Sequence, residues 1–86
     1  MKVCDLVEAY IAYRRSLGEK YQSPAVMLRS FARYIGEDKE CMSIDEKTCT
    51  AFLYSPNNTV SASWFLRYSS LKWMFDWAIV RGYMQE

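Results

Sequence analysis

The chain has 86 residues and a net charge of +1, and 51% of its residues are hydrophobic and 16% aromatic. This length fits a single domain over residues 1–86, and the apolar content is far above that of a disordered tail. Only three glycines and two prolines interrupt the chain, which favours long helices over a β-sandwich with many turns. We therefore expect one all-α domain.

The cysteine and histidine content argues against several kinds of chemistry. Cys4, Cys41 and Cys49 show no C-x-x-C spacing, and the chain has no histidine. Neither a disulfide framework, a zinc site nor histidine-based acid–base catalysis is therefore expected. The N-terminus lacks an apolar signal segment, and the longest apolar run, 9–13, is too short to cross a membrane. These features predict a cytoplasmic protein with no metal, no cofactor and no membrane contact.

The acidic residues are concentrated in one segment. Residues 37–47 contain five acidic and two basic side chains, which leaves nine basic and five acidic residues elsewhere. The rest of the chain therefore carries a net charge of +4. A one-sided basic face is compatible with the nearly neutral total charge.

Capping residues and hydrophobic periodicity predict four helices. The first helix spans about 6–17, with Asp5 as its N-cap and Gly18 as its C-terminal stop. The second helix begins at Ser23-Pro24 and ends at Gly36. The apolar positions expected in the core are Leu6, Tyr10, Tyr13 and Leu17 in the first helix and Met27, Leu28, Phe31, Tyr34 and Ile35 in the second.

The acidic stretch 37–43 is predicted to be a loop before a short third helix. Asp45 caps this helix, which runs to about Tyr54 with Cys49, Phe52 and Leu53 facing inward. A fourth helix runs from a Ser61 cap to Arg81, a length of about 30 Å.

The fourth helix is apolar on two sides. Its main stripe is formed by Trp64, Tyr68, Leu71, Phe75 and Ile79, and its second stripe by Leu66, Trp73, Trp77 and Val80. Between the stripes, one polar flank carries Ser63, Arg67, Ser70, Met74 and Arg81, and the other carries Ser69, Lys72 and Asp76. Such a helix is either central to a bundle or keeps one side for a partner. The second stripe is expected to be core, with a docking surface for a neighbouring protomer as the alternative.

The sequence contains no recognisable catalytic constellation. The three glycines are isolated helix stops and form no phosphate-binding loop. Serine, threonine and cysteine have no histidine base, and the acidic segment is typical of a solvated turn. We do not expect the chain to be an enzyme by itself.

Four segments in order resemble the N-terminal core-binding domain of the tyrosine recombinases, a SAM-like four-helix domain of phage-integrase type. Residues 10–18 (YIAYRRSLG) resemble the family's F-x-x-Y-L-x-x-R-G opening, and Phe31 with Tyr34-Ile35 resembles its L-x-x-F-x-x-Y-L. Residues 44–53 resemble the short helix I-T-x-x-x-I-x-x-F-L. Residues 71–84 resemble L-R-x-F-Y-x-W-A…x-G-Y-I. The resemblance covers nearly the whole chain.

The resemblance implies an orthogonal four-helix bundle with a long C-terminal helix that forms one jaw of a clamp on recombination-site DNA. Its expected partners are double-stranded DNA, the catalytic domain of a longer parent recombinase and other protomers on the DNA. In the family the catalytic residues belong to a separate C-terminal domain, so the resemblance implies no catalytic residue in this chain. The chain is then expected to be a fragment of a longer integrase, with a free-standing remnant as the alternative. The residues implied as DNA contacts are Lys20, Arg29, Arg33, Ser61, Ser63, Arg67, Ser70 and Lys72, with the loop 20–23 as another approach to the backbone.

Each of these assignments has an alternative. Arg29 and Arg33 could belong to an ordinary solvated helix face, and Arg67 could pair with an acid. Lys72 could form a weak surface ion pair with Asp76 at i+4, and Ser61 could be only a helix cap. For the whole domain, the alternative is a SAM-like protein-interaction module, favoured if Leu66, Trp73 and Trp77 are exposed and the domain self-associates without DNA.

Overall fold

The fold is an all-α bundle, which confirms the predicted fold class. A computed structural model describes residues 1–36, 38–54 and 62–84, with Ala62 and Ser63 described for the backbone alone. Within these residues the helices are α1 (Val3–Ser16), α2 (Gln22–Ile35), α3 (Glu46–Tyr54) and α4 (Ala62–Val80). One turn of 3₁₀ helix, Cys41–Ser43, lies in the segment predicted as a loop. The SAM-like arrangement of the helices stays a prediction.

Helix α1 begins three residues earlier than predicted, with Lys2 as its N-cap in place of Asp5. The reason is a tertiary contact that the local sequence does not encode. The amide of Val3 donates to the carbonyl of Lys39 at 2.7 Å, and the amide of Cys41 donates to the carbonyl of Met1 at 2.9 Å. These hydrogen bonds hold the start of α1 against the segment after α2.

The predicted glycine stops and one predicted cap agree with the structure, because they depend on local chemistry. The predicted start of α2 at Ser23-Pro24 is wrong: α2 begins at Gln22 after Tyr21, and no described side chain caps it. The glycines Gly18, Gly36 and Gly82, which follow α1, α2 and α4, all have positive φ, a conformation that costs glycine little. At the start of α3, the carboxylate of Asp45 accepts a hydrogen bond from the amide of Thr48 at 2.7 Å. The predicted Asp45 cap is confirmed, whereas the predicted Ser61 cap lies outside the described residues.

The core lies where α1, α2 and α4 cross. Phe31 of α2 connects three helices, because its ring centroid lies 5.1 Å from that of Phe52 in α3 and 6.0 Å from that of Phe75 in α4. Two predicted core residues are wrong: Leu17 and Tyr34 are exposed. Leu17 lies beyond the last turn of α1, and Tyr34 lies at the edge of α2, where its ring contacts Phe52.

The buried face of α4 differs from the predicted main stripe. Its most buried side chains are Ser70, Leu71, Met74 and Ala78. Leu71 belongs to the predicted main stripe, whereas Ser70 and Met74 come from the flank that was predicted to be polar. Small side chains at positions 70 and 78 let α4 approach its neighbours closely, which suits the centre of a crossing. Tyr68 of the predicted stripe is 44% exposed. In the second stripe, Trp77 is half-buried, while Leu66, Trp73 and Val80 are exposed.

Candidate nucleic-acid interface

The two arginines of α2 lie beside α1 in a small cavity, here called the seam. Both guanidinium nitrogens Nε and Nη2 of Arg29 donate to the carboxylate of Glu8, at 2.8 and 2.9 Å. This bidentate pair lowers the pKa of Glu8 below its ordinary value, because the hydrogen bonds favour the charged carboxylate. Arg33 is exposed. The seam has a volume of about 140 Å³ and is lined by Cys4, Val7, Glu8, Arg29, Ala32 and Arg33.

Arg67 and Arg29 contact different helices. Its Nη1 donates to the carbonyl of Phe52 at 3.1 Å, and its guanidinium lies 5.0 Å from the centroid of the Phe52 ring. Arg67 therefore packs on α3, whereas Arg29 pairs with α1. These contacts give no support to a basic face that combines Arg67 with Arg29.

The remaining predicted contacts fall into three groups. Ser70 is only 7% exposed, so its expected position on an open polar flank is wrong. Lys72 and Lys20 are exposed, and the alternative ion pair between Lys72 and Asp76 is not formed, although both residues are described. Ser61 and the side chain of Ser63 lie outside the described part of the chain.

A larger open depression, here called the groove, lies between α1, the start of α2 and the middle of α4. Its volume is about 720 Å³, within the range of sites that hold small ligands. Lys20 lies in the loop between α1 and α2, and Ser23 lies in the first turn of α2. Ser69 and Trp73 lie in α4. The lining residues are Tyr10, Arg14, Glu19, Lys20, Tyr21, Gln22, Ser23, Pro24, Ser69, Ser70 and Trp73.

The floor of the groove is an arginine surrounded by aromatic rings. The guanidinium carbon of Arg14 lies 5.3 Å from the ring centroid of Tyr21, 5.5 Å from Trp73 and 6.0 Å from Tyr10. Its Nη2 donates to the carboxylate of Glu19 at 2.7 Å, which raises the pKa of Arg14. These contacts fix Arg14 and hold the loop after α1 against α4 through one side chain.

Tyr21 positions the start of α2 at the edge of the groove. It precedes the first residue of α2 and has a φ of 53°, which costs a non-glycine residue about 1–2 kcal/mol. The packing of its ring edge-on to Tyr10, with 5.9 Å between centroids, offsets this strain. No side chain caps the N-terminus of α2. The amides of its first turn, Gln22 and Ser23, therefore remain available for an anion in the groove.

Three cations with no ion pair to another described residue lie in the groove lining or next to it in the chain: Lys20 is a lining residue, Arg15 contacts the same loop, and Lys72 lies one helical turn after the lining residue Ser69. Within the described ranges, no carboxylate forms an ion pair with Arg15, Lys20 or Lys72. Arg15 donates through Nε to the carbonyl of Lys20 at 3.4 Å, which places it at the same loop. At the opposite end of α1, Lys2 lies 3.4 Å from Asp38, so positive charge there is neutralised.

Sequence reasoning identified the loop 20–23 but missed Arg14, Ser69 and Trp73. Trp73 was assigned to a core or docking stripe, yet it is 57% exposed beside the groove. One signal was present in the sequence: Ser69 and Asp76 lie four residues before and three residues after Trp73, so its helix face has polar neighbours. No such pattern marks Arg14 in the sequence, because two of the three rings that contact it, Tyr21 and Trp73, lie outside its own helix.

No family model, no curated protein and no solved structure matches the chain. Residues 1–36, 38–54 and 62–84 contain no cluster of side chains suited to a metal ion. Among the helices described, none combines the length and apolarity needed to cross a membrane.

Proposed function

We propose that this domain binds double-stranded DNA through the groove, as the core-binding module of a site-specific tyrosine recombinase. The observation that carries the proposal is the convergence of Lys20, Ser23 and Ser69 on one open surface from separate elements. Phosphate contacts in protein–DNA complexes come from such cations and hydroxyls and from the amides of helix N-termini. The recombinase assignment rests on the sequence resemblance, which includes the loop 20–23 and Lys72.

The charge available for binding is modest. Among the described residues, Lys20 in the lining, Arg15 at the same loop and Lys72 one helical turn after Ser69 form no ion pair, while Glu19 compensates Arg14. Neutralising about three phosphates gives a slope of about −2.7 in a plot of log K against log salt. Affinity for non-specific duplex at physiological salt is then on the order of 10⁻⁴–10⁻⁶ M.

The test is fluorescence anisotropy with a labelled duplex at several salt concentrations. Lys20→Glu in the groove is compared with Arg33→Glu in the seam, since both residues are exposed and both variants change the charge equally. Loss of one phosphate contact lowers affinity about eightfold at 0.1 M salt, and we expect this for Lys20→Glu alone. Undetectable binding by the parent chain, or an equal loss in Arg33→Glu, would contradict the proposal.

A protein-interaction module is the second candidate, and one specific observation favours it. Leu66, Trp73 and Val80 are exposed at seven-residue spacing along α4, which places them on one stripe. A second copy of this chain, with its own stripe, is the occupant to test. Sedimentation equilibrium without DNA distinguishes the candidates: self-association abolished by Val80→Lys but retained in Lys20→Glu would favour the interaction module.

A further inference from the structure

The exposed indole of Trp73 is the feature of the groove that phosphate binding leaves unexplained. It is 57% exposed, whereas the other exposed residues of the groove lining, Glu19, Lys20, Gln22, Ser23 and Ser69, are polar. The guanidinium of Arg14 lies 5.5 Å from its ring centroid and holds the indole in place. A fixed, flat and apolar surface complements another flat apolar surface, and a phosphate or a sugar hydroxyl offers none.

From this geometry we infer that Trp73 stacks on an unpaired base, so that the groove binds DNA containing an unpaired nucleotide more tightly than a continuous duplex. The inference rests on the proposed function, because it concerns the same groove and the same class of ligand. In a continuous duplex the faces of the bases are covered by their neighbours. An unpaired nucleotide exposes a face for the indole, while Lys20 and Ser23 line the same groove and bind the adjoining phosphates.

The size of the groove fits this ligand. A volume of about 720 Å³ lies within the range of about 300–1,000 Å³ found for small-molecule sites, so one nucleotide can enter it. Stacking of one base on an aromatic side chain changes affinity by at least about fivefold and is tolerant of sequence. The preference should therefore depend on the presence of the base more than on its identity.

The experiment compares three labelled DNAs by anisotropy: a continuous duplex, the same duplex with unpaired thymines in one strand, and the same bulge with abasic sites. We expect the parent chain to bind the thymine bulge about 5- to 30-fold more tightly than either of the other two. Trp73→Ala removes this preference, so that its affinities for the three DNAs become equal. Trp73→Phe keeps an aromatic face and retains part of the preference.

Phe65→Ala is the matched control. Phe65 lies on the same helix and is 58% exposed, but it is not part of the groove lining. We expect Phe65→Ala to keep the full preference, and circular dichroism checks that each variant is folded. Equal affinity of the parent chain for all three DNAs overturns the stacking inference and leaves the proposed function standing. A preference that survives Trp73→Ala, or is lost in Phe65→Ala, also overturns it, and absence of binding to every DNA overturns both proposals.

Discussion

The groove and the seam contain the same formal charges but differ in what surrounds them. The groove is lined by Arg14, Lys20 and Glu19, and the seam by Arg29, Arg33 and Glu8. Each therefore has two cations and one carboxylate. In the groove these charges surround about 720 Å³ of open space with hydroxyls and an exposed tryptophan, whereas the seam encloses about 140 Å³ between small apolar side chains.

The difference shows that the number of arginines on a helix face does not define a polyanion site. Arg29 holds Glu8 through two hydrogen bonds, so a phosphate must compete with an existing carboxylate. In the groove, the arginine that is paired lies on the floor, and the exposed Lys20 has no such partner among the described residues. The two sites therefore differ in shape and in their available hydrogen-bonding groups, although their formal charges are equal.

The largest expected difference between the two sites concerns stability. Tyr10 forms the groove floor and contacts Tyr13, Tyr21 and Trp77, with ring centroids 5.4–6.2 Å from its own. Tyr10→Ala should lower the free energy of unfolding by about 3–5 kcal/mol, as for other buried aromatic truncations. Val7→Ala, at the seam, should lower the free energy of unfolding by about 2 kcal/mol, because fewer atoms are removed. Urea denaturation measures both, and equal losses would contradict the role of the aromatic floor.

Removal of one carboxylate from each site gives a smaller and more direct comparison. Glu19→Gln leaves Arg14 without its carboxylate in the groove, and we expect DNA affinity to rise by up to about eightfold at 0.1 M salt. Glu8→Gln frees Arg29 in the seam and should change DNA affinity less than about twofold. Anisotropy at fixed salt measures both variants. A greater gain in DNA affinity for Glu8→Gln than for Glu19→Gln would contradict binding in the groove and indicate that DNA binds at the seam.

The smallest expected effect is the pH dependence of the seam. Because Arg29 lowers the pKa of Glu8 in the folded chain, this carboxylate stabilises the fold above its unfolded pKa, near 4.5. The stabilisation is lost as pH falls through the lower folded value. Melting curves of the parent chain and Glu8→Gln should therefore differ by a few degrees at most at neutral pH and converge in acid, since the pair is exposed. A difference that grows in acid would contradict this assignment.

Most of the candidate site was not predictable from single elements. The loop 20–23 and Lys72 were identified from the resemblance, but the pairing of Arg29 with Glu8 joins two helices whose facing sides the sequence did not define. The burial of two side chains of α4 is the reverse of the prediction: Trp73, expected in the core, is exposed, and Ser70, expected on a polar flank, is buried. Both outcomes follow from the rotation of α4, which depends on its neighbours.

The sequence by itself determined the features that local chemistry controls. The number of helices, the glycine stops at Gly18, Gly36 and Gly82, and the Asp45 cap all follow from residues within one turn of the position concerned. Only the tertiary structure decided which face of α4 is buried and where α1 begins. A helix that is apolar on two opposite sides has no single preferred inner face of its own, so packing against α1 and α2 selects that face, and with it the groove.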